Sequence, residues 1–282
     1  MIEGMSFVDT NDDSIILPPS RIALGVEYMG AKYSGWQRQL SVDSIQKRVE
    51  YALAKILQQN VSISCAGRTD AGVHATAQVA HFDSPVARPI KAFTRGMNTI
   101  LPKDIAITWA KPVGDDFHAR FSATARRYRY VIYNSALRSG VFNAGVTHVY
   151  KSIDAGLMHE AAQVLVGKHD FTSYRASHCQ SKTPCRLMHY IKVYRMQQFV
   201  IVDVKANAFL HHMVRNIVGS LLDVGSGEKP LSYIAEVLAI KDRAKASSTA
   251  KPNGLYLVEV DYDDRFALPK THAGPLFLPD LK

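Results

Sequence analysis

Hydrophobic and polar positions first alternate with a period of two over residues 21–28. Ile22, Leu24, Val26 and Tyr28 fall on one side, and Arg21, Ala23, Gly25 and Glu27 on the other. That pattern predicts a half-buried strand. After a glycine-bearing loop, Ile45, Val49, Leu53 and Ile56 recur at helical spacing, with Ser41 or Asp43 as the expected cap. Short strands are expected at 61–65 and 76–82, flanking an irregular segment at 67–74. A helix at about 89–99 leads to a strand at 104–110. Residues 111–116 (KPVGDD) make the best linker.

A second cycle follows. It reads as a strand at 124–134, a helix at 153–166, and a hairpin of 187–196 with 199–206 turning at Gln197-Gln198. Leu210, Val214, Ile217 and Leu221 place a helix over 209–224, stopped by Gly225-Ser226-Gly227. A short helix at 231–240 and a strand at 255–260 complete the core. The pattern predicts three parts: a loosely ordered polar N-terminal extension (1–19), an N-terminal domain (20–116) and a C-terminal domain (117–282). The fold class is α+β, with two related subdomains. Each is a mostly antiparallel sheet with helices on one face, and the cleft between them is the natural place for a site.

Composition alters this picture in two respects. Hydrophobic residues at 47% and charged residues at 21% are globular values, which exclude disordered and fibrous classes. The net charge of +9 directs attention to a polyanionic partner. The three cysteines, Cys65, Cys179 and Cys185, are too few for a disulfide framework and suggest a reducing compartment. Cys179 and Cys185, even with His178 and His189 nearby, are too loosely spaced for a zinc site, so no metal is expected. No apolar run is long enough to span a membrane, and the acidic N-terminus does not resemble a signal peptide. The expected location is the cytoplasm.

The segment richest in chemistry is residues 66–75, AGRTDAGVHA. Two glycines bracket Arg68, Thr69 and Asp70 and allow a ligand to approach the main chain. Asp70 is the only carboxylate between Glu50 and Asp83. Alone, such an aspartate reads as a turn residue bonded to its own backbone. Two further segments shift that reading. In ARRYRY (125–130), alternation sets Arg126, Tyr128 and Tyr130 on one face and Arg127 and Arg129 on the other. With no acidic residue in the segment, it reads as an RNA surface rather than a salt-bridged one. In FLHHMVRN (209–216), His211 and Arg215 share a helix face away from the apolar stripe. Arg126, Arg127, Arg129, Lys168 and Arg175 are the candidate phosphate contacts, and their binding should weaken steeply with salt.

These blocks resemble the tRNA pseudouridine synthase A (TruA) family. The matching segments are YMGAKYSGWQ (28–37), AGRTDAGVHA (66–75), FHARFSATARRYRY (117–130), HDF (169–171) and FLHHMVRNIVG (209–219). The resemblance implies isomerisation of uridine to pseudouridine at tRNA positions 38, 39 and 40, in the anticodon arm. It implies no cofactor, Asp70 as the catalytic carboxylate and Arg215 as its ion-pair partner. Arg68 would fill the space left by the extruded nucleotide. Tyr128 would pack on the target base and assist removal of the C5 proton. A homodimer, with one tRNA reaching across both subunits, is implied as well. Two other classes account for part of the pattern. One is a non-catalytic tRNA-binding protein. The other is a metal-dependent nuclease that unites Asp70 with Asp83 or Asp116.

Overall fold

A computed structural model of the chain describes residues 16–275, 277 and 278. In chain order the elements are β1 (Ile16–Leu17), β2 (Ser20–Tyr28), α1 (Ile45–Leu57), β3 (Ser64–Cys65), β4 (His74–Ser84), β5 (Arg88–Pro89), α2 (Arg95–Ile100), β6 (Ile105–Val113), β7 (Ala123–Asn134), β8 (Thr147–Val149), α3 (Ala155–Ala162), β9 (Gly167–Asp170), β10 (Cys185–Met196), β11 (Phe199–Ala206), α4 (Met213–Gly225), α5 (Tyr233–Ile240) and β12 (Leu255–Tyr262). Most of the expected N-terminal extension, residues 1–15, lies outside the described residues. Ile16 and Leu17 pair with β5.

The α+β class stands, but the two expected sheets are halves of one. Its order is β6-β2-β4-β12-β7-β11-β10-β9, with β3 on β4 and β8 on β7. The seam is the parallel pair β4–β12, where Tyr256 faces His74 and Leu257 faces Ala75. His74 clasps this seam. Its Nδ1 accepts from Gly30 N–H at 2.9 Å, and its Nε2 meets the Asn253 carbonyl at 3.0 Å. Hydrophobic period shows that a segment is a strand but not which strand lies beside it, so a seam 180 or so positions apart in sequence is invisible to patterning.

Several local expectations are corrected. Strand β2 is buried on both faces. Ile22, Leu24 and Val26 join the core under α1, while Ala23 packs with Val79, Trp109, Phe117 and Phe266. The small residues that imitate a polar face are space for Trp109, since a Cβ on Gly25 would lie 2.2 Å from its indole nitrogen. The cap of α1 is Ser44, whose Oγ accepts from Lys47 N–H; Asp43 binds Arg48 instead. Residues 111–113 are not linker but the end of β6, with Arg21 facing Val113. Pro112 is tolerated because β6 is an edge strand. The helix expected from 209 begins at Met213, because His212 takes a left-handed φ of 61° and releases residues 209–212 from helical geometry. No helix of the described residues is long and apolar enough to cross a membrane.

Candidate active site

The loop between β3 and β4 is held by its own neighbours. Gln78, fully buried on β4, accepts from Gly67 N–H at 3.3 Å and donates to the Gly67 carbonyl at 2.6 Å. The Tyr28 hydroxyl meets Thr69 Oγ1 at 2.9 Å, and Trp36 N–H donates to the Thr69 carbonyl at 3.0 Å. Gly72 has φ 79° and donates to the Tyr33 carbonyl. Gly35 is obligatory, as a Cβ there would lie 2.5 Å from the Thr69 carbonyl oxygen. The segment 28–37 thus serves as the clamp of the loop. With its neighbours so constrained, the Asp70 side chain, 20% exposed, projects from a rigid turn.

The opposite wall is the start of α4. Arg215 Nη1 donates to Asp70 Oδ2 at 3.0 Å, and its Nε donates to the Ala250 carbonyl at 2.8 Å. His211 Nε2 and His212 Nε2 each lie 3.4 Å from the same carboxylate. The helix N-terminus adds its own positive end to this group. Burial lowers the His212 pKa, and His211 and Arg215 work in the same direction, against the pull of Asp70. The carboxylate therefore faces one guanidinium and two imidazoles across the cleft. Sequence reading pairs His211 with Arg215 by helical spacing. They converge for a different reason, because His211 precedes the helix. His212 joins the site as well, a placement whose one sequence signal is the histidine doublet.

Tyr128 on β7 lines the same cleft and is 8% exposed. Phe209 meets its ring edge-on at 5.1 Å, and its hydroxyl lies 3.5 Å from where a Cβ on Gly67 would stand. Burial raises the Tyr128 pKa, and the charge of Asp70 adds to that effect, so the ring carries a neutral phenol. Arg68 is exposed at the mouth and reaches across to Gln180 Oε1 at 3.1 Å. The cleft encloses about 920 Å³ and is lined by Arg68, Asp70, Tyr128, Phe209, His211 and Arg215 among others.

The expected phosphate contacts separate. Arg126 is buried, and its guanidinium donates to the carbonyls of Ala66, Arg120, Ala123 and Asn207. Arg127 and Arg129 face away from the cleft and share Asp203, with Glu259 also on Arg127. The acidic partners come from adjacent strands, across register pairs of Asp203 with Arg129 and Glu259 with Arg127, so no inspection of the segment alone could find them. Arg175 donates to the Cys179 and Ser181 carbonyls and shapes the loop after it. Cys179 Sγ in turn accepts from His211 N–H at 3.4 Å. Lys168 is exposed on the outer strand β9.

Asp83 is engaged by Arg21 and Asp116 by Arg265, and neither lines the cleft. Among the described residues, the carboxylate cluster that a nuclease needs does not form around Asp70. A group of another kind does: Asp70, His211 and His212 hold metal-ligating atoms within 4.8 Å of one another. The donor set suits a zinc-like ion. The Arg215 guanidinium already occupies the carboxylate, however, and repels a dication at this distance.

The family profile described as tRNA pseudouridine synthase matches residues 25–122 and 161–263. Among curated relatives, the tRNA pseudouridine synthase A of Pseudoalteromonas translucida is 61% identical over 261 residues, covering 93% of this chain and 99% of its own. That of Shewanella frigidimarina is 59% identical, covering 92% of this chain and 100% of its own. A solved Cbf5–Nop10–Gar1 complex aligns with 13% identity and TM-score 0.35 over 84% of this chain and 48% of that one.

Proposed function

The chain belongs to the tRNA pseudouridine synthase family, and from that premise we propose that Asp70 is the carboxylate that acts on the ribose of a target uridine in tRNA. The reaction is an isomerisation of uridine to pseudouridine. The N1–C1′ bond breaks, the base turns, and a C5–C1′ bond forms. The C5 hydrogen leaves as a proton, and N1 gains one, so no redox partner is consumed. The carboxylate either adds to C1′ or removes the proton that opens a glycal, and both routes need an ionised oxygen at the sugar.

The observation that carries this reading is the Asp70 carboxylate, on the cleft wall and 3.0 Å from Arg215. Stacking in a helix would keep a ribose from it, so the uridine must be extruded, at a cost of a few kcal/mol. Tyr128, neutral and edge-packed by Phe209, supplies a rigid ring for the extruded base. Arg68 stands at the mouth on a single exposed hydrogen bond, which is cheap to exchange for RNA. The target positions are 38, 39 and 40 in the anticodon arm. Recognition by shape and backbone rather than by base edges suits three adjacent positions. The enzyme acts as a cytoplasmic homodimer; three free cysteines accord with a reducing compartment. Tritium release from tRNA carrying 5-tritiated uridine, without added metal, tests the proposal. Release supports the synthase, RNA cleavage supports a nuclease, and neither supports a binder.

A further inference from the structure

Phe121 stands at the rim of the same cleft with 76% of its surface exposed. An isolated exposed phenylalanine is ordinary. This one is unusual in how firmly its backbone is held. His118 Nδ1 accepts from both Arg120 N–H at 3.1 Å and Phe121 N–H at 3.3 Å. The Arg120 carbonyl accepts from buried Arg126 at 2.7 Å, and the Ala119 carbonyl accepts from the Tyr262 hydroxyl at 2.6 Å. Ala119 N–H donates to His81 Nδ1 at 3.2 Å, and Ser122 N–H closes the turn onto the His118 carbonyl. The N–H groups of residues 118–122 and the carbonyls of 118–120 are thus all held, while the ring is left in solvent.

The ring is also backed by an imidazole and flanked by a cation. The His118 imidazole lies against it at 4.3 Å between centroids and 33° between planes. His118 must be neutral with its proton on Nε2, because Nδ1 accepts two N–H groups. The Arg120 guanidinium lies 5.6 Å from the Phe121 centroid. An aromatic face supported from behind, with an adjacent cation, is what stacks and anchors an unpaired nucleotide. Arg126 joins this turn to the catalytic loop, since the same guanidinium also holds the Ala66 carbonyl at 3.0 Å. The position of the rim is therefore coupled to that of Asp70.

We propose that Phe121, backed by His118 and flanked by Arg120, is a stacking platform for an unpaired base of the RNA neighbouring the extruded uridine. This rests on the reading of the cleft as the uridine site. An apolar protein partner is disfavoured because the ring lies on the wall of a cleft that also carries Arg68, Arg120 and Arg215.

The test uses the full chain and an anticodon stem-loop RNA, with Kd measured by titration for Phe121→Ala, Phe121→Leu and Phe121→Trp. Loss of one base stack weakens binding roughly 5- to 100-fold. Alanine and leucine should both show that loss, tryptophan should restore affinity, and the new indole emission should be quenched on RNA binding. Leucine binding within twofold of the unsubstituted protein would overturn the proposal, because apolar packing alone would then suffice. Unchanged indole emission at saturating RNA would overturn it as well. If the unsubstituted protein releases no tritium from uridine, the reading of the cleft has failed. If it does and the variants bind normally, only the platform has.

Discussion

Arg215 Nη1 donates to Asp70 Oδ2 at 3.0 Å across a sequence separation of 145 residues. The arginine is oriented by a second bond, from Nε to the Ala250 carbonyl. Arg215→Lys keeps the charge but cannot make both bonds from one planar fork. Turnover should fall about ten- to hundredfold, the equivalent of one charge-assisted hydrogen bond. Single-turnover kinetics on tRNA measures this, and a rate within twofold of the unsubstituted enzyme would remove Arg215 from the site.

Tyr128→Phe separates stacking from proton transfer. The ring, and with it substantial RNA binding, should remain, while turnover falls steeply. Because burial raises the pKa of this phenol, it stays protonated across the neutral range and should place no inflection in the pH–rate profile there. Normal turnover by the phenylalanine variant would show that the hydroxyl has no part in removing the C5 proton.

Asp203 holds the other face of the arginine strand. Burial raises its pKa, but the guanidinium groups of Arg127 and Arg129 more than reverse this and hold it low. A depressed carboxylate contributes stability that is present above its unfolded pKa and lost as pH falls through its folded value. Asp203→Asn removes the buried carboxylate that Arg127 and Arg129 share, leaving Glu259 on Arg127, and should cost about 3–5 kcal/mol of unfolding free energy. Urea denaturation reads that loss. A variant that is as stable as the parent and binds tRNA more tightly would restore Arg127 and Arg129 to the phosphate surface.

His74 and His81 are both buried, and burial takes each to a pKa of about 4. Each uses Nδ1 to accept a backbone N–H, from Gly30 and Ala119 respectively, so protonation destroys a hydrogen bond in addition to burying a charge. Both are neutral when folded and take up protons more readily when unfolded. Stability should therefore be full above about pH 6.5 and decline as pH falls toward 4, by up to about 3 kcal/mol per histidine. Denaturant midpoints at pH 7, 6 and 5 follow this directly, and a flat series would contradict it.

The sequence was most informative where chemistry is local. The turn that presents Asp70 is encoded by two glycines within one short segment, Gly67 and Gly72, and the hairpin of β10 and β11 by two runs about Gln197-Gln198, with Met196 facing Phe199 as expected. It was least informative where partners arrive from distant strands. Asp203 and Glu259 neutralise Arg127 and Arg129 from neighbouring strands, and nothing in ARRYRY announces them. Gln78 grips both sides of Gly67, yet a glutamine in a strand has no distinctive spacing that would announce it. His212 was absorbed into a helix that begins one residue later, since its left-handed backbone is a tertiary choice.

If the Asp70 oxygen acts on the sugar while phosphate contacts supply the affinity, activity and binding must separate on its removal. Tritium release from 5-tritiated uridine in tRNA, measured for the unsubstituted protein and for Asp70→Asn alongside their Kd values, tests it most directly. Release is expected from the former, none from the latter, and affinities within a few-fold of each other. Undiminished release by Asp70→Asn would contradict it.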